Sequence, residues 1–215
     1  MSALDRVARY LNERTEESDT QARARSLALR KGLAPVSPMG GQVLASLAAM
    51  SGAERILELG GGVGTTSLWL RRGAPSAHLT VLEENPERAA QAHALLREDG
   101  ASSAAIRVIA GGAAEVLPRL SDGGYGLVVL ADDPARFATH LAHALRLVAP
   151  GGTIIALGAL RGGAVADPAR RDPVTVAMRE IMDELDRHPD FVTGTLPLEG
   201  GVLLLTRAEG PNSPR

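Results

Sequence analysis

Ile56-Leu57-Glu58-Leu59-Gly60-Gly61-Gly62-Val63-Gly64-Thr65-Thr66 is the stretch whose reading decides the fold. An apolar run carries one acid, Glu58, and gives way to a turn with glycines at the alternating positions Gly60, Gly62 and Gly64, beside Gly61. A helical pattern follows over residues 65–72. Strand, glycine turn and helix in succession form a nucleotide-binding βα unit. Two details choose among nucleotides. The dinucleotide pattern requires a third glycine at position 65, where Thr65 stands. The loop also opens on a carboxylate. A pyrophosphate seated on a helix N-terminus is favoured by the positive end of the helix dipole, and a neighbouring carboxylate would repel it. S-adenosylmethionine carries an ammonium and a sulfonium, which a carboxylate attracts. Pattern and charge together make this a loop for S-adenosylmethionine.

Downstream of this unit the chain alternates. Strand-like runs fall at residues 55–59, 78–83, 105–110, 126–131 and 153–157, with helical runs at 65–72, 86–99, 113–120 and 134–147 between them. The strands are short and apolar throughout, as in a parallel sheet covered on both faces. A helix over 172–187 comes next. Residues 191–196 and 202–207, separated by a turn containing Gly200 and Gly201, form an antiparallel hairpin that closes the sheet. Upstream, residues 2–14 and 19–31 read as two helices rich in Ala, Leu and Arg, with Asp19 as cap of the second and Gly32 as its stop. Pro35 and Pro38 break the chain, and a third helix spans 41–50. The expectation is one domain: N-terminal helices over 1–50 serving as cofactor lid and dimer contacts, an α/β body over 51–208, and a flexible Pro/Gly/Ser-rich tail over 209–215.

Composition narrows the partners. A chain of 215 residues is long enough for a full core. Its 23 basic and 25 acidic residues give a net charge of −2 and no basic surplus for nucleic acid. Cysteine is absent, which excludes disulfides, thiolate metal sites and a cysteine nucleophile. No run is apolar enough to cross a membrane, and residues 1–20 are polar and charged, so a cytoplasmic protein is expected. Lys31 is the only lysine, and the aromatics are Tyr10, Trp69, Tyr125, Phe137 and Phe191.

The second strand ends on Glu83, 19 residues after Gly64, where an acid reaches a ribose and can accept from both hydroxyls. The third strand ends in Gly111-Gly112-Ala113, whose small side chains let an adenine ring lie against the backbone.

At the level of whole motifs the chain resembles the cation-dependent O-methyltransferases, the family of catechol and caffeoyl-CoA O-methyltransferases and many bacterial relatives. The resemblance covers nearly everything from Leu33 to Arg207. It is carried by Val36-Ser-Pro-Met-Gly-Gly-Gln-Val-Leu44, by the Glu58 to Thr66 loop, by Leu82-Glu-Glu-Asn-Pro-Glu-Arg88 and by Gly111-Gly-Ala-Ala-Glu-Val-Leu-Pro118. Tyr125-Gly-Leu-Val-Val-Leu-Ala-Asp-Asp133, Arg161-Gly-Gly-Ala-Val-Ala-Asp-Pro168 and Leu196-Pro-Leu-Glu-Gly-Gly-Val-Leu-Leu-Leu205 continue it. The resemblance implies an α/β fold of the class I methyltransferase type: a Rossmann-like, doubly wound, seven-stranded sheet with extra N-terminal helices. It also implies a homodimer, a small-molecule acceptor, and contacts to S-adenosylmethionine from Val36, the Glu58–Gly64 loop, Thr66, Glu83, Ala113 and the Asp132–Asp133 turn.

The departures bear on mechanism. Where the family ends its fourth strand with a metal-binding Asp, this chain has Ala131; where a lysine base often follows, it has Pro134. Where the fifth strand usually ends Asp-Asn, it has Leu157-Gly158. None of these replacements binds Mg²⁺, which needs hard oxygen ligands, so no metal is expected. A phenolic acceptor must then lose its proton to a base. The candidates are Asp132 and Asp133 at the mouth of the sheet, and His140 or His143, three apart on one predicted helix. A cap before Pro134 accounts equally for the two acids, and a solvated helix face for the histidines. Asp167 and Asp172 lie in a loop positioned to cover the acceptor, where caps and turns explain them as well. The expected activity is methyl transfer from S-adenosylmethionine to a small hydroxylated molecule. A non-catalytic S-adenosylmethionine-binding protein of the same fold is the rival, and an NAD-dependent oxidoreductase comes third.

Overall fold

The structure is a computed structural model that describes residues 2–131 and 133–209. The N-terminal segment folds as three helices, α1 (Ala3–Arg14), α2 (Asp19–Arg30) and α3 (Pro38–Ser51). Serines set their starts. Ser2 and Ser18 each form a capping box, with Asp5 and Gln21 respectively, and the Ser37 hydroxyl accepts from Gly40 N. The cap of α2 is therefore Ser18, and Asp19 is its first helical residue. Pro38 likewise begins α3 instead of breaking the chain before it, because the missing N–H of a proline costs nothing in a first turn.

The body alternates as the sequence predicts: β1 (Arg55–Leu59), α4 (Thr65–Gly73), β2 (His78–Glu83), α5 (Pro86–Glu98), β3 (Ile106–Ala110), α6 (Ala113–Val116), β4 (Tyr125–Leu130), α7 (Phe137–Leu147), β5 (Val148–Ala156), α8 (Pro173–Leu185), β6 (Phe191–Leu196) and β7 (Val202–Arg207). Three boundaries differ by more than two residues, each for a local reason. The helix expected over 113–120 is one turn of α-helix that tightens into a 3-10 turn around Pro118. The helix expected from 134 opens with a 3-10 turn over 134–136. Strand β5 starts at Val148 rather than 153, because Val148 pairs with Tyr125 before an irregularity at Pro150-Gly151-Gly152 resets the register to Leu127–Thr153.

The seven strands lie in the order β3-β2-β1-β4-β5-β7-β6. The first five are parallel, and β7 and β6 close the sheet as an antiparallel hairpin. The chain winds one way from β1 through β2 to β3 and the other way from β4 to β5, so the order reverses between β1 and β4. Open α/β sheets bind ligands outside the carboxyl ends of the strands at such a switch.

Two apolar cores cover the two faces. One contains Ile56, Leu68, Trp69, Leu79 and Val129 with residues of α3 and α5; the other contains Leu57, Leu59, Leu117, Leu141, Leu147 and Met178. Successive residues of a strand face opposite sides, so Ile56 and Glu58 of β1 share the α4 side, while Leu57 and Leu59 face α7. Helices α3 and α4 approach so closely that a Cβ at Gly41 would fall 2.2 Å from the Trp69 ring, and one at Gly73 1.9 Å from the Ala45 carbonyl. In contrast α1 buries no residue, and Leu4, Val7 and Tyr10 stand exposed on it.

Candidate functional site

A cavity of about 820 Å³ opens at the carboxyl ends of β1, β2 and β4. Its floor is Leu59, Leu82 and the loop Gly60-Gly61-Gly62-Val63. Gly111 and Ala113 line one side, Ala131, Asp133 and Arg136 another, and Leu157 and Gly158 a third, while Gly32 to Val36 close it from the helical segment.

The glycine loop is held by backbone bonds: Gly60 N donates to Leu82 O at 2.9 Å and Gly64 N to Gly61 O at 2.8 Å. Gly60, Gly62 and Gly64 have φ of 83°, 54° and 90°, left-handed conformations that glycine adopts without strain. Gly61 has no such φ, but a Cβ there would lie 2.2 Å from the Val81 side chain. Helix α4 starts at the loop with no side-chain cap. Its first amides, at Thr65 and Thr66 on the cavity wall, therefore stand ready for an anionic group such as a carboxylate.

Of the candidates read from the sequence, Val36, Gly60, Gly61, Gly62, Thr66, Glu83, Ala113 and Asp133 converge on this one cavity. Glu58, Gly64 and Gly112 are not on its wall. Gly64 packs against Ala92 in α5, and Gly112 is the residue before α6. For Glu58 the reason is strand alternation. Its side chain lies on the α4 face, fully buried, where Ser67 Oγ donates to Oε2 and Oε1 has no hydrogen-bond partner. Burial pushes this carboxyl up to about 7, against a pull downward from Ser67 and a further push from the nearby Glu83. Glu58 is thus a buried acid beneath the loop and makes no direct contact across the cavity.

Glu83 is 3% exposed and heavily engaged: it accepts from Gly62 N at 2.8 Å, Asn85 N at 2.9 Å and Arg88 Nε at 2.9 Å, and from Arg88 Nη2 at 2.5 Å. The next residue, Glu84, pairs with Arg136 across the crevice, and that guanidinium is the main cause holding its carboxyl below the usual range.

Asp132 lies outside the described residues. Asp133 lines the cavity and also accepts from Ala135 N at 2.9 Å, so it serves as the turn cap and as part of the wall. His140 is buried on the core side of α7, and His143 is partly covered one turn further on; neither reaches the cavity. Burial, then Arg146 and His140, hold His143 below the ordinary histidine value. Asp172 caps α8 through Thr175 N at 3.1 Å, and Asp167 caps a turn through Ala169 N at 2.9 Å. Both acids are structural, and Arg179 completes their loop by donating to the carbonyls of Ala164, Val165, Asp167 and Arg170.

The charged residues the sequence left unassigned are Glu84, Arg88, Arg136 and Glu199. Glu199 sits on the β6–β7 turn with φ 50°, reaches the cavity, and accepts from Ser37 N at 3.1 Å and from Ser37 Oγ. The hint for it was an acid next to paired glycines at a hairpin tip. Its partner 162 residues earlier was not visible in the sequence.

The described residues at the positions where the resemblance places metal ligands supply no oxygen ligand for Mg²⁺. Positions 131, 157 and 158 offer no side-chain oxygen, and no group of three His, Cys, Asp or Glu side chains able to hold a metal occurs among the described residues.

The fold and the glycine-floored crevice define a nucleotide-binding α/β protein of the methyltransferase type, and comparison gives the family. The O-methyltransferase family model matches residues 14–208, and the chain belongs to that family. A Mycobacteroides abscessus protein assigned as an O-methyltransferase is 34% identical over 207 residues, which cover 96% of each chain. A Corynebacterium glutamicum protein of known structure superimposes with a TM-score of 0.90 at 29% identity, over 99% of this chain and all of the other. The O-methyltransferase TomG of Streptomyces achromogenes, involved in tomaymycin synthesis and solved with S-adenosylmethionine, matches with a TM-score of 0.84 at 25% identity, over 97% of this chain and all of its own. No helix among the described residues is long and apolar enough to cross a membrane.

Proposed function

We propose that this protein transfers a methyl group from S-adenosylmethionine to a hydroxyl of a small molecule, without the metal used by cation-dependent relatives. The observation that carries this reading is a single cavity, in which we read a cofactor half and an acceptor half. The cofactor half has the glycine loop, the uncapped α4 N-terminus and Glu83. The acceptor half has Ala131, Leu157 and Gly158 where the resemblance places metal ligands. The methionine carboxylate suits the amides of Thr65 and Thr66, the ribose suits Glu83, and the adenine suits the small surface of Gly111 and Ala113.

Transfer is an in-line displacement. The acceptor oxygen forms a bond to the methyl carbon, the carbon–sulfur bond breaks, and sulfur keeps the pair as a thioether. Holding the two reactants aligned supplies about 7–11 kcal/mol in well-oriented systems. The hydroxyl proton passes to a carboxylate on the wall. Asp133 is the assigned base: Ala135 N occupies its Oδ1 alone, whereas Glu199 is anchored on Ser37 by both oxygens. The enzyme is read as a cytoplasmic homodimer, with the exposed Leu4, Val7 and Tyr10 of α1 as the apolar face a second copy would cover.

The test has two stages. Calorimetric titration with S-adenosylmethionine, S-adenosylhomocysteine and NAD, with and without Mg²⁺, should show binding of the first two only, indifferent to the metal. A panel of phenols and catechols should then be methylated in the presence of EDTA, and Asp133→Asn should lose turnover while keeping S-adenosylhomocysteine affinity. Activity abolished by EDTA and restored by Mg²⁺ would refute the metal-free reading. Tight cofactor binding with no turnover on any acceptor would favour a binding protein that has lost the chemistry.

A further inference from the structure

Glu83 has too few free lone pairs to hold a ribose diol alone. A carboxylate offers about two acceptor sites per oxygen. Oε1 already takes Asn85 N, Arg88 Nε and Arg88 Nη2, at 2.9, 2.9 and 2.5 Å. Oε2 takes Gly62 N at 2.8 Å, which leaves it one acceptor site on a residue that lines the cavity. One ribose hydroxyl can donate there, and the other needs a different partner. Arg88 is on the same wall, its side chain 32% exposed, and its pairing with Glu83 uses Nε–H and one Nη2–H of its five donors.

The position of Arg88 in the helix fits the same pairing. It is the third residue of α5, with its N–H held by the Asn85 side chain at 3.0 Å. A cation in a first turn stands at the positive end of the helix dipole, where acids are favoured. Capping gives no reason for an arginine there; its pairing with Glu83 on the cavity wall does.

We propose that Arg88 is a second ribose-reading residue for the cofactor assigned above, an inference that rests on the S-adenosylmethionine reading. The Glu83–Arg88 pair then presents one acceptor and one donor to the diol. One hydroxyl donates to Glu83 Oε2, and the oxygen of the other accepts from the Arg88 guanidinium. The side-on pairing with Oε1 fixes the guanidinium plane, so the free donors arrive already oriented.

The experiment is calorimetric titration of wild type, Arg88→Leu and Arg88→Lys with S-adenosylhomocysteine and with its 2′-deoxy and 3′-deoxy analogues. Arg88→Leu should weaken S-adenosylhomocysteine binding about ten- to a hundredfold, as expected for one charge-assisted hydrogen bond. That loss should vanish for the one deoxy analogue lacking the hydroxyl that Arg88 holds, and persist for the other. Arg88→Lys should fall between, since a lysine keeps the charge but not the planar fork. An equal loss for all three ligands would mean that Arg88 only steadies Glu83 and would overturn the proposal, as would an unchanged affinity in Arg88→Leu. Failure of wild type to bind S-adenosylhomocysteine at all would overturn the cofactor reading and this inference with it.

Discussion

Replacing Glu58 by glutamine should remove most of the loss of stability that this protein suffers on going from mildly acid to mildly alkaline pH. The carboxyl is fully buried, and its value is raised from 4.5 to about 7, chiefly by desolvation. A carboxyl raised on folding contributes its full stability below the unfolded value, and that contribution is lost as pH rises through the folded one. Every tenfold difference in proton affinity between the folded and unfolded chain is worth about 1.4 kcal/mol, so complete ionisation costs about 3 kcal/mol. About 2 kcal/mol of this is expressed between about pH 5.5 and about pH 8.5. In a chain of this size that is a fall in Tm of about 4–8 °C. His143, held low, shifts stability the opposite way over part of the same range, so the quantity to read is the difference between wild type and Glu58→Gln. Urea or thermal unfolding of both proteins at several pH values, without ligand, gives that difference. Wild type should lose stability relative to the variant as pH rises and level off above pH 7. Parallel curves would show that Glu58 is ionised in the fold at little cost, and that the orphaned Oε1 and apolar surroundings do not control it.

Other perturbations follow from single contacts. Gly73→Ala forces a Cβ toward the Ala45 carbonyl, at 1.9 Å in the present backbone, and should lower stability by about 1–3 kcal/mol, read as a drop in Tm. Val7→Asp together with Leu4→Asp should leave the Tm of the fold within a degree or two, since both side chains are exposed. It should also halve the mass seen by light scattering; a monomeric wild type at micromolar concentration would refute the α1 interface. Arg179→Ala removes the donors to four carbonyls of the loop before α8. It should make that loop sensitive to limited proteolysis and lower turnover on any acceptor found, with S-adenosylhomocysteine affinity unchanged.

The backbone plan was legible because its signals are local. Glycines at 60, 62 and 64 and apolar runs of strand length each act within a few residues, and the element order follows them. The misreadings were also local. Ser18 outcompetes Asp19 as a cap because it sits one residue earlier, with Gln21 placed to complete the box. Glu58 precedes the loop in sequence, and the two-residue period of the strand sets its side chain on the α4 face beside Ser67. What the sequence hid is the set of pairs made by the fold. Arg136 meets Glu84 across the switch point, Glu199 meets Ser37 from opposite ends of the chain, and Arg88 crowds Glu83. Each pair joins residues whose contact the sequence does not show.

The strand order β3-β2-β1-β4-β5-β7-β6 also divides the labour of the molecule. Loops after β1, β2 and β3 build the wall that suits a nucleoside, and those after β4, β5 and β6 supply Asp133, Leu157, Gly158 and Glu199 on the other side. The two sets emerge from opposite halves of one continuous sheet, so the second can be rewritten while the first is left alone. A lineage could exchange metal ligands for alanine, leucine and glycine, and one acceptor for another, without rebuilding its nucleoside wall. The same seam offers an engineer a place to graft: transplanting the segments after β4, β5 and β6 from a relative should carry acceptor preference across while the recipient keeps its own cofactor half.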